Sequence, residues 1–403
     1  MKIRISILIM LALVAVSSCQ KQQKKAQIQM QYDRPLPPGQ YALRKITDPG
    51  EIPDFTMACS DLANLRKAVA HSLSYLHKPS SRNFYPSGQI THSQALESVQ
   101  AFADMLDSGL SAGQLNDEIL INFDVYTSVG CDDRGTVLFT GYYTPIFEGS
   151  LQRTAQFNHP LYEQPDDLVK GPDGDILGRR ESDGRISSYP DRAQIEDSGM
   201  LHGKELIYLG GPFEAYIAHV QGSAKVRLPD GNITTVGYAA NNGHEYRSVA
   251  QELVHDGKIA SDEISLAAMI AYFERFRNQV RMYVRRNPRF VFFKEEGGPP
   301  VGCLNEPVTP VRTIATDKSI FPRASLAFIT TKLPRAVGGA TVRQTYTGFA
   351  LDQDAGGAIR AAGRCDVYMG EGETAGKLAG QTHKEGRLYY LFLKPDAIVV
   401  DEF

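Results

Sequence analysis

The sequence has no tryptophan, only five cysteines and no excess of positive charge. Its 403 residues carry 43 Lys+Arg against 46 Asp+Glu, which gives a formal net charge of −3. A chain without a basic excess is not expected to bind nucleic acid. A hydrophobic share of 42% with 22% charged residues also excludes a disordered or collagen-like chain. The length is sufficient for two or more domains.

The common cofactor and nucleophile motifs are absent as well. The nine histidines show no His-x3-His spacing and the cysteines no Cys-x2-Cys pair, so a zinc site is not expected. No Gly-x-Ser-x-Gly elbow, phosphate-binding loop or dinucleotide fingerprint is present. We therefore expect no metal and no cofactor, and carboxylates remain as the candidates for chemistry.

The N-terminus has the pattern of an export signal. Lys2 and Arg4 precede an apolar run over residues 5–16 that is too short to span a bilayer comfortably. The following tetrad, VSSC, resembles a bacterial lipoprotein box, in which residues 1–18 are removed and the Cys19 thiol is lipidated. A plain secretory signal followed by a chance cysteine is the alternative. Gln20 after the lipidated cysteine points to the outer membrane, with the protein anchored by its lipid and facing the periplasm.

Residues 19–50 are predicted to be a flexible tether. Their first half is rich in Gln, Lys and Pro and has neither helical nor strand periodicity.

The remainder is predicted to be mainly β with flanking helices. Apolar residues at helical spacing predict a helix over residues 61–76, for which Asp61 could be the cap, and a second over 96–106. Residues 145–293 hold short strands separated by breakers, interrupted by one helix from near Asp262 to about Arg286. Strand-like runs are found at 136–143, 289–293, 312–316, 325–330, 389–393 and 397–400.

The richest group of carboxylates lies near the C-terminus, in DQDAGGAIR (352–360) and RCDVYMG (364–370). Two glycines follow Asp354 and permit a tight turn, and Asp366 opens an apolar-flanked strand that could hold its side chain in a half-buried cleft. Burial raises the pKa of a carboxylic acid, as a general acid needs. Turn or capping roles for both aspartates stay open at this point.

These segments resemble the membrane-bound lytic murein transglycosylase A family and its three-aspartate barrel module. The matching segments occur in the family's order: FTGYYTP (139–145), YPDR (189–192), HVQGS (219–223), NGHEYRS (242–248), NPRFVFF (287–293), IATDKSIFP (314–322), DAGGAI (354–359) and RCDVYMG (364–370).

The resemblance implies a double-psi β-barrel that is split in sequence by an inserted smaller β-domain, with a substrate groove between the two. The implied boundaries are 51–143 plus 297–403 for the barrel and 144–296 for the inserted domain. It also implies cleavage of the β-1,4 bond between N-acetylmuramic acid and N-acetylglucosamine, leaving 1,6-anhydro-muramic ends. The implied partners are peptidoglycan glycan strands and the outer membrane, with other cell-wall enzymes as further candidates.

The resemblance also suggests roles for single residues. Asp366 matches the family's single catalytic acid, and we expect Asp354 to orient substrate or stabilise positive charge, and Asp317 to cap a barrel turn. The substrate-contact candidates are Thr140, Tyr142, Gln221, Gly222, Ser223 and Tyr368. Because the chain has no tryptophan, stacking on sugar rings falls to tyrosine or phenylalanine. One of the adjacent tyrosines 142 and 143 could instead be core, and 221–223 could simply be a turn.

Two other functions stay open. A hydrolytic glycosidase on the same barrel would need a second carboxylate about 6.5–9.5 Å from Asp366 if it inverts configuration. A non-catalytic peptidoglycan-binding lipoprotein would bind glycan without turnover. The cysteines other than Cys19 allow three disulfide pairings in the oxidising periplasm, and we favour a bond between Cys303 and Cys365 because both lie in the C-terminal barrel segment.

Overall fold

Most of the fold is built from β-strands. The computed structural model describes residues 30–172, 174–260 and 264–395. The predicted signal peptide 1–18, Cys19, the start of the helix near Asp262 and the strand expected at 397–400 lie outside these residues. The described strands are β1 (Leu43–Lys45), β2 (Phe123–Ser128), β3 (Val137–Thr144), β4 (Ile146–Ser150), β5 (His159–Tyr162), β6 (Leu168–Lys170), β7 (Ile176–Arg180), β8 (Ile186–Ser187), β9 (Glu205–Leu209), β10 (Ala224–Arg227), β11 (Ile233–Asn241), β12 (Val291–Glu296), β13 (Thr313–Ala315), β14 (Leu326–Val337), β15 (Ala340–Asp354), β16 (Arg364–Glu371) and β17 (His383–Leu393).

Helices occur in three groups along the chain, before β2, between β8 and β12, and between β16 and β17. They are α1 (Thr56–Cys59), α2 (Leu65–Leu76), α3 (His92–Asp107), α4 (Ala112–Asn122), α5 (Arg192–Ser198), α6 (Pro212–Gln221), α7 (Val249–His255), α8 (Leu266–Arg275), α9 (Val280–Val284) and α10 (Gly372–Gln381). Short 3-10 turns lie at Pro49–Glu51, Pro79–Phe84 and Arg277–Gln279. No helix in the described ranges has the length and apolar character needed to cross a membrane.

The first sheet closes into a six-stranded barrel. Its strand order is β1-β2-β17-β14-β15-β13-β16-β3, and a further pairing of β17 with β3 closes the ring. Strand β3 is parallel to β16 and antiparallel to β17, so it is hydrogen-bonded to neighbours that lie more than 200 residues later in the chain. This closed barrel with helices around it confirms the predicted mainly β fold with flanking helices.

A bulge in β15 sets which carboxylates point into the barrel. Its register with β13 shifts between the pair Ile314–Asp352 and the pair Ala315–Asp354. Because side chains alternate along a strand, an extra residue reverses the faces that follow it. Asp352 is therefore fully buried in the barrel, whereas Asp354 is half-buried at its surface.

Helices α2 and α3 cover the barrel because each has one apolar face. In α2, Leu65, Val69 and Leu76 are buried at helical spacing in the same core as the barrel strands. The predicted cap is wrong, since α2 begins after Asn64, and Asp61 instead pairs with the buried Arg312 at 3.0 Å.

The middle of the chain forms a six-stranded sheet, β12-β11-β10-β4-β9-β5, and a small three-stranded one, β6-β7-β8. Only Pro145 separates β3 of the barrel from β4 of the second sheet. Because proline cannot donate a backbone hydrogen bond, it marks the place where the chain leaves the barrel ladder. The second sheet has its own apolar core, which includes Leu161, Ile207, Val226, Val236 and Phe293.

Two predicted elements differ from the structure. The single helix expected to end near Arg286 is interrupted at Phe276, where the backbone leaves helical geometry, so α8 and α9 are separate. The sequence indicated no strand for residues 340–351, but residues 340–354 form β15, the longest described strand, paired along its length with β14. Its first half is exposed and holds no run of consecutive apolar residues like those that predicted the other strands.

The predicted tether and disulfide also need correction. The tether does not extend to residue 50, because Ala42, Leu43 and Ile46 are buried and β1 pairs with β2. The four described cysteines are free, which overturns the preferred bond between Cys303 and Cys365. Cys365 is completely buried in the barrel core, whereas Cys303 lies in an exposed segment outside it.

Candidate active site

Parallel pairing of β3 with β16 brings Thr140 beside Asp366. The Thr140 hydroxyl donates a hydrogen bond to the Asp366 carboxylate, and both side chains are half-buried. Arg364, two residues earlier on the same face of β16, places its Nη2 3.4 Å from the Thr140 hydroxyl. The alternating Cys365 and Val367 point into the core, so Asp366 belongs to the outer face of the barrel wall.

The surroundings of Asp366 favour its protonated form. Burial is the largest influence and raises the pKa of Asp366. The hydrogen bond from Thr140 and the charge of Arg364 oppose that rise, while the charge of Asp354 adds to it. The net direction is upward, as a general acid near neutral pH requires.

Asp354 lies at the same level of the barrel as Asp366. Ala315 of β13 pairs with Asp354 on one side and Asp366 on the other, so the two aspartates are two strand spacings, roughly 9–10 Å, apart along the sheet. The Asp354 carboxylate accepts hydrogen bonds from the Tyr142 hydroxyl at 2.7 Å, from Ala355 N at 2.8 Å and from Cys303 N at 2.9 Å. Burial raises the pKa of Asp354, although these donors oppose the rise.

A cavity of about 190 Å³ opens beside Thr140. Its wall includes Gln221 at the end of α6, Tyr246, Ser265 and His383, which begins β17. Residues of the barrel and residues of the middle of the chain thus share one cavity next to the hydroxyl that contacts Asp366. A mostly apolar concavity with a few polar side chains, next to a half-buried carboxyl group, is the arrangement expected of a ligand-binding site.

Two family profiles match the chain. Residues 138–294 match the profile described as MltA specific insert domain, and residues 312–392 match the one described as 3D domain. The chain is 30% identical over 278 residues to the membrane-bound lytic murein transglycosylase A of Escherichia coli (strain K12), covering 68% of this chain and 70% of the relative. The chain belongs to the membrane-bound lytic murein transglycosylase A family. This confirms the resemblance drawn from the motifs, and the chain is a peptidoglycan lytic transglycosylase.

Solved structures of the family share the fold. The membrane-bound lytic murein transglycosylase from Agrobacterium tumefaciens matches with a TM-score of 0.74 and 25% identity, over 89% of this chain and 99% of that one. E. coli MltA with bound chitohexaose matches with a TM-score of 0.66 and 25% identity, over 91% of this chain and 97% of that one.

The structure of this transglycosylase brings together several of the residues singled out in the sequence. Thr140, Tyr142, Asp354 and Asp366 form a row of two hydrogen-bonded pairs, Thr140 with Asp366 and Tyr142 with Asp354, across β3, β16 and the end of β15. Tyr142 is half-buried, and its neighbour Tyr143 is core, with 8% of its surface exposed.

The segment 221–223 lies against the end of β3. Gln221 Oε1 accepts a hydrogen bond from Tyr143 N at 3.0 Å, and Ser223 Oγ lies 3.4 Å from Thr144 Oγ1. Gly222 ends α6 with a φ of 75°, a left-handed conformation that favours glycine. Gly222 therefore has a helix-capping role, while Gln221 also borders the cavity.

Tyr368 is not available for a sugar. Only 1% of its surface is exposed, its hydroxyl is 3.0 Å from Thr144 Oγ1, and its ring packs 5.2 Å from that of Tyr142. The prediction that Tyr368 contacts substrate is wrong because the ring is covered. The Tyr368 ring packs against the Tyr142 ring and so helps to hold Tyr142 in position.

Asp317 is buried away from the row of catalytic candidates. Its carboxylate accepts hydrogen bonds from Ser319 N at 3.1 Å, Ser319 Oγ at 2.6 Å and Ala361 N at 2.9 Å. These contacts hold the turn after β13 against the segment before β16. The described residues contain no group of three or more His, Cys, Asp or Glu side chains placed to hold a metal ion.

Sequence reasoning missed Arg364 and His383. Arg364 could have been found, since two-residue spacing on a strand puts it on the same face as Asp366. His383 had no local signal, because it reaches the site only through the pairing of His383 with Thr140 that closes the barrel.

Proposed function

We propose that this transglycosylase cleaves the β-1,4 bond between N-acetylmuramic acid and N-acetylglucosamine with Asp366 as the single acid and base, and releases 1,6-anhydro-muramic ends. The observation that carries this proposal is the half-buried Asp366 carboxyl group, hydrogen-bonded by Thr140, with its pKa raised by burial. Binding of chitohexaose by a related structure supports a glycan as the ligand of this site.

The reaction needs one carboxyl group in two protonation states. Protonated Asp366 donates its proton to the departing glycosidic oxygen, the bond from that oxygen to the muramyl C1 breaks, and positive charge develops at C1. The C6 hydroxyl of the same sugar then attacks C1, and the Asp366 carboxylate takes its proton. The acid is restored, no water is consumed, and the nucleophile needs no second carboxylate to activate it.

Asp354 and Tyr142 would assist this reaction without transferring a proton. The three hydrogen bonds to Asp354 hold its carboxylate in one orientation, from which it can stabilise positive charge near the anomeric carbon. Tyr142 connects Asp354 to β3 and presents a half-buried ring to the site, so it is the aromatic candidate for contact with a sugar. Gln221 and Ser223 are the remaining candidates for contact with substrate.

The finer architecture is part of the proposal. We assign the barrel, with double-psi topology, to 51–143 plus 297–403 together with β1, and the inserted β-domain to 144–296. The two separate apolar cores and the exit of the chain at Pro145 support this division. The substrate groove would run past the cavity that both parts line.

The location of the protein is proposed from its N-terminal sequence. Relatives named membrane-bound support association with the cell envelope. A lipid on Cys19 would anchor the chain to the outer membrane on the periplasmic side, where glycan strands and other cell-wall enzymes are accessible.

Product mass tests the reaction. The protein should release fragments with anhydro ends from purified sacculi, because the muramyl C6 hydroxyl displaces the leaving group. A hydrolysed end is heavier by one water, and Asp354, across β13 from Asp366, is the carboxylate such a reaction would use. Hydrolysed ends would establish a glycosidase, and intact sacculi a binding protein. Either result contradicts the proposal.

Thr140→Val should shift the pH dependence of turnover. The hydrogen bond from Thr140 stabilises the ionised Asp366 and so lowers its pKa. A general acid is lost as pH rises through its pKa, so removal of this bond should move the alkaline limb of the kcat/KM profile to higher pH.

Thr144→Val is the matched control for this shift. Thr144 lies on the same strand, but its hydroxyl faces Tyr368 and Ser223 rather than Asp366. Its alkaline limb should coincide with that of the wild type. A Thr140→Val profile that does not move, or moves to lower pH, would contradict the role of Asp366 as acid.

A further inference from the structure

Three positive side chains lie close enough to His383, a residue of the cavity wall, for their charges to lower its pKa. This cationic cluster consists of Arg343, Arg364 and Lys384. Arg364 comes from β16, Lys384 follows His383 on β17, and Arg343 lies near the tip of the β14–β15 hairpin, with its Nη2 3.3 Å from Gln381 O at the end of α10. Burial, and then the charges of these three residues, lower the pKa of His383.

The cations of the cluster form no direct salt bridge among the described residues. The carboxyl group on which the charge of Arg364 acts is that of Asp366, the proposed acid. The nearby Glu385 carboxylate instead accepts a hydrogen bond from Tyr32 at 2.7 Å. The Nε atom of Arg364 is buried without any hydrogen-bond partner. A buried N–H donor without a partner is costly unless an acceptor arrives.

Arg364 lies beside Thr140, which lines the cavity. Its Nη2 is 3.4 Å from the Thr140 hydroxyl, and its charge opposes the rise in the pKa of Tyr246, another residue of the cavity wall. Thr140 in turn contacts Asp366. A sugar bound with its glycosidic bond at Asp366 would therefore place its neighbouring substituents in the cavity beside the cluster.

The two sugars of the glycan strand differ in charge. N-acetylglucosamine is uncharged, whereas the lactyl ether of N-acetylmuramic acid ends in a carboxyl group. In bare strands that carboxylate is free, and in intact peptidoglycan it is amide-linked to a stem peptide that carries carboxylates of its own. Arginine can bind either the lactyl carboxylate or a stem-peptide carboxylate, because its planar guanidinium group can donate two parallel hydrogen bonds.

We propose that the cavity and its cationic cluster bind a carboxylate on the lactyl substituent of the muramyl residue, and so distinguish the muramyl sugar from N-acetylglucosamine. This inference rests on the proposed function, because that function places the scissile bond at Asp366. The ligand chemistry is a carboxylate, which belongs either to the lactyl group itself or to the stem peptide.

Binding measurements test the proposal in the full chain carrying Asp366→Asn, so that no strand is cleaved. The probes are peptide-bearing glycan strands, amidase-treated strands with free lactyl carboxylates, and chitohexaose, which has neither. Arg364→Gln should weaken binding of at least one muramyl probe by about tenfold, because a charge-assisted hydrogen bond is lost. Binding of chitohexaose should stay unchanged.

A second variant keeps the contact of Arg364 with Thr140 intact. Arg343→Gln combined with Lys384→Gln should weaken the same muramyl probes by about threefold, as expected for exposed charges. Lys67→Gln combined with Lys258→Gln removes two exposed positive charges outside the cavity and should bind every probe as the parent does.

The probes identify the carboxylate, and they can also overturn the proposal. Weaker binding of both muramyl probes assigns the site to the lactyl carboxylate, and weaker binding of peptide-bearing strands alone assigns it to the stem peptide. An equal loss for chitohexaose, or no loss for any probe, refutes the cluster as a carboxylate site. The catalytic proposal fails separately, through the product mass of the wild type, since these binding measurements involve no turnover.

Discussion

Asp366→Asn should lower the release of anhydro-ended fragments by on the order of 10³-fold, the scale of a lost general acid. Asparagine keeps the size and the hydrogen-bond acceptor that Thr140 contacts, but it cannot donate a proton to the leaving oxygen. Turnover of purified sacculi, measured from the rate at which anhydro-ended products appear by mass, checks the prediction.

Asp354→Asn is the comparison that separates the two carboxylates. Its amide oxygen can still accept hydrogen bonds from Cys303 N and Ala355 N, so the loop stays in place while the negative charge is lost. We expect a smaller loss of rate than for Asp366→Asn, because Asp354 transfers no proton in the proposed reaction. Both variants should unfold at the wild-type temperature. If Asp354→Asn is the more damaging change, the assignment of the acid is wrong.

Lys318→Met should lower the free energy of unfolding by about 3–5 kcal/mol, because it leaves a buried carboxylate without its cation. Lys318 pairs with Asp352 inside the barrel, where the two side chains are 6% and 0% exposed. Thr316 Oγ1 and the Tyr390 hydroxyl each donate to the same carboxylate at 2.7 Å. Denaturant unfolding followed by circular dichroism measures the loss.

Two further variants define the origin of that loss. Lys377→Met removes the same side chain from an exposed pair with Glu373 on α10, and it should change stability far less. Adding Asp352→Leu to Lys318→Met removes the stranded charge and should recover much of the lost stability. If the double variant is no more stable than Lys318→Met alone, the loss comes from packing and not from the unpaired carboxylate.

The single bulge in β15 gives Asp352 and Asp354 different roles, although both belong to one motif. Asp352 and Asp354 are two residues apart and would share a face on a regular strand. The register shift between them directs Asp352 into the barrel, where it is neutralised by Lys318, and Asp354 towards the site. The family motif pointed to Asp354 in the sequence, but the burial of Asp352 and its pairing with Lys318 follow only from the register shift.

Tyr368 and His383 are two further residues whose roles could not be predicted from the sequence. The motif around Asp366 suggested Tyr368 as a contact for sugar, but Thr144 and Tyr142 cover it. His383 has no motif, yet closure of the barrel pairs it with Thr140. In both cases the neighbours that decide the role come from distant parts of the chain.

The sequence by itself determined the family and the mainly β class with its flanking helices, because both depend on local patterns: motif residues in order and apolar spacing. The proposed role of Asp366 rests on the family motif. Tertiary structure alone decided which strands are neighbours, and with that the Thr140 hydrogen bond to Asp366, the covered Tyr368, the free cysteines and the cationic cluster. The physical reason is that alternation along a strand shows which residues share a face, whereas barrel closure between β3 and β17 joins segments more than 200 residues apart.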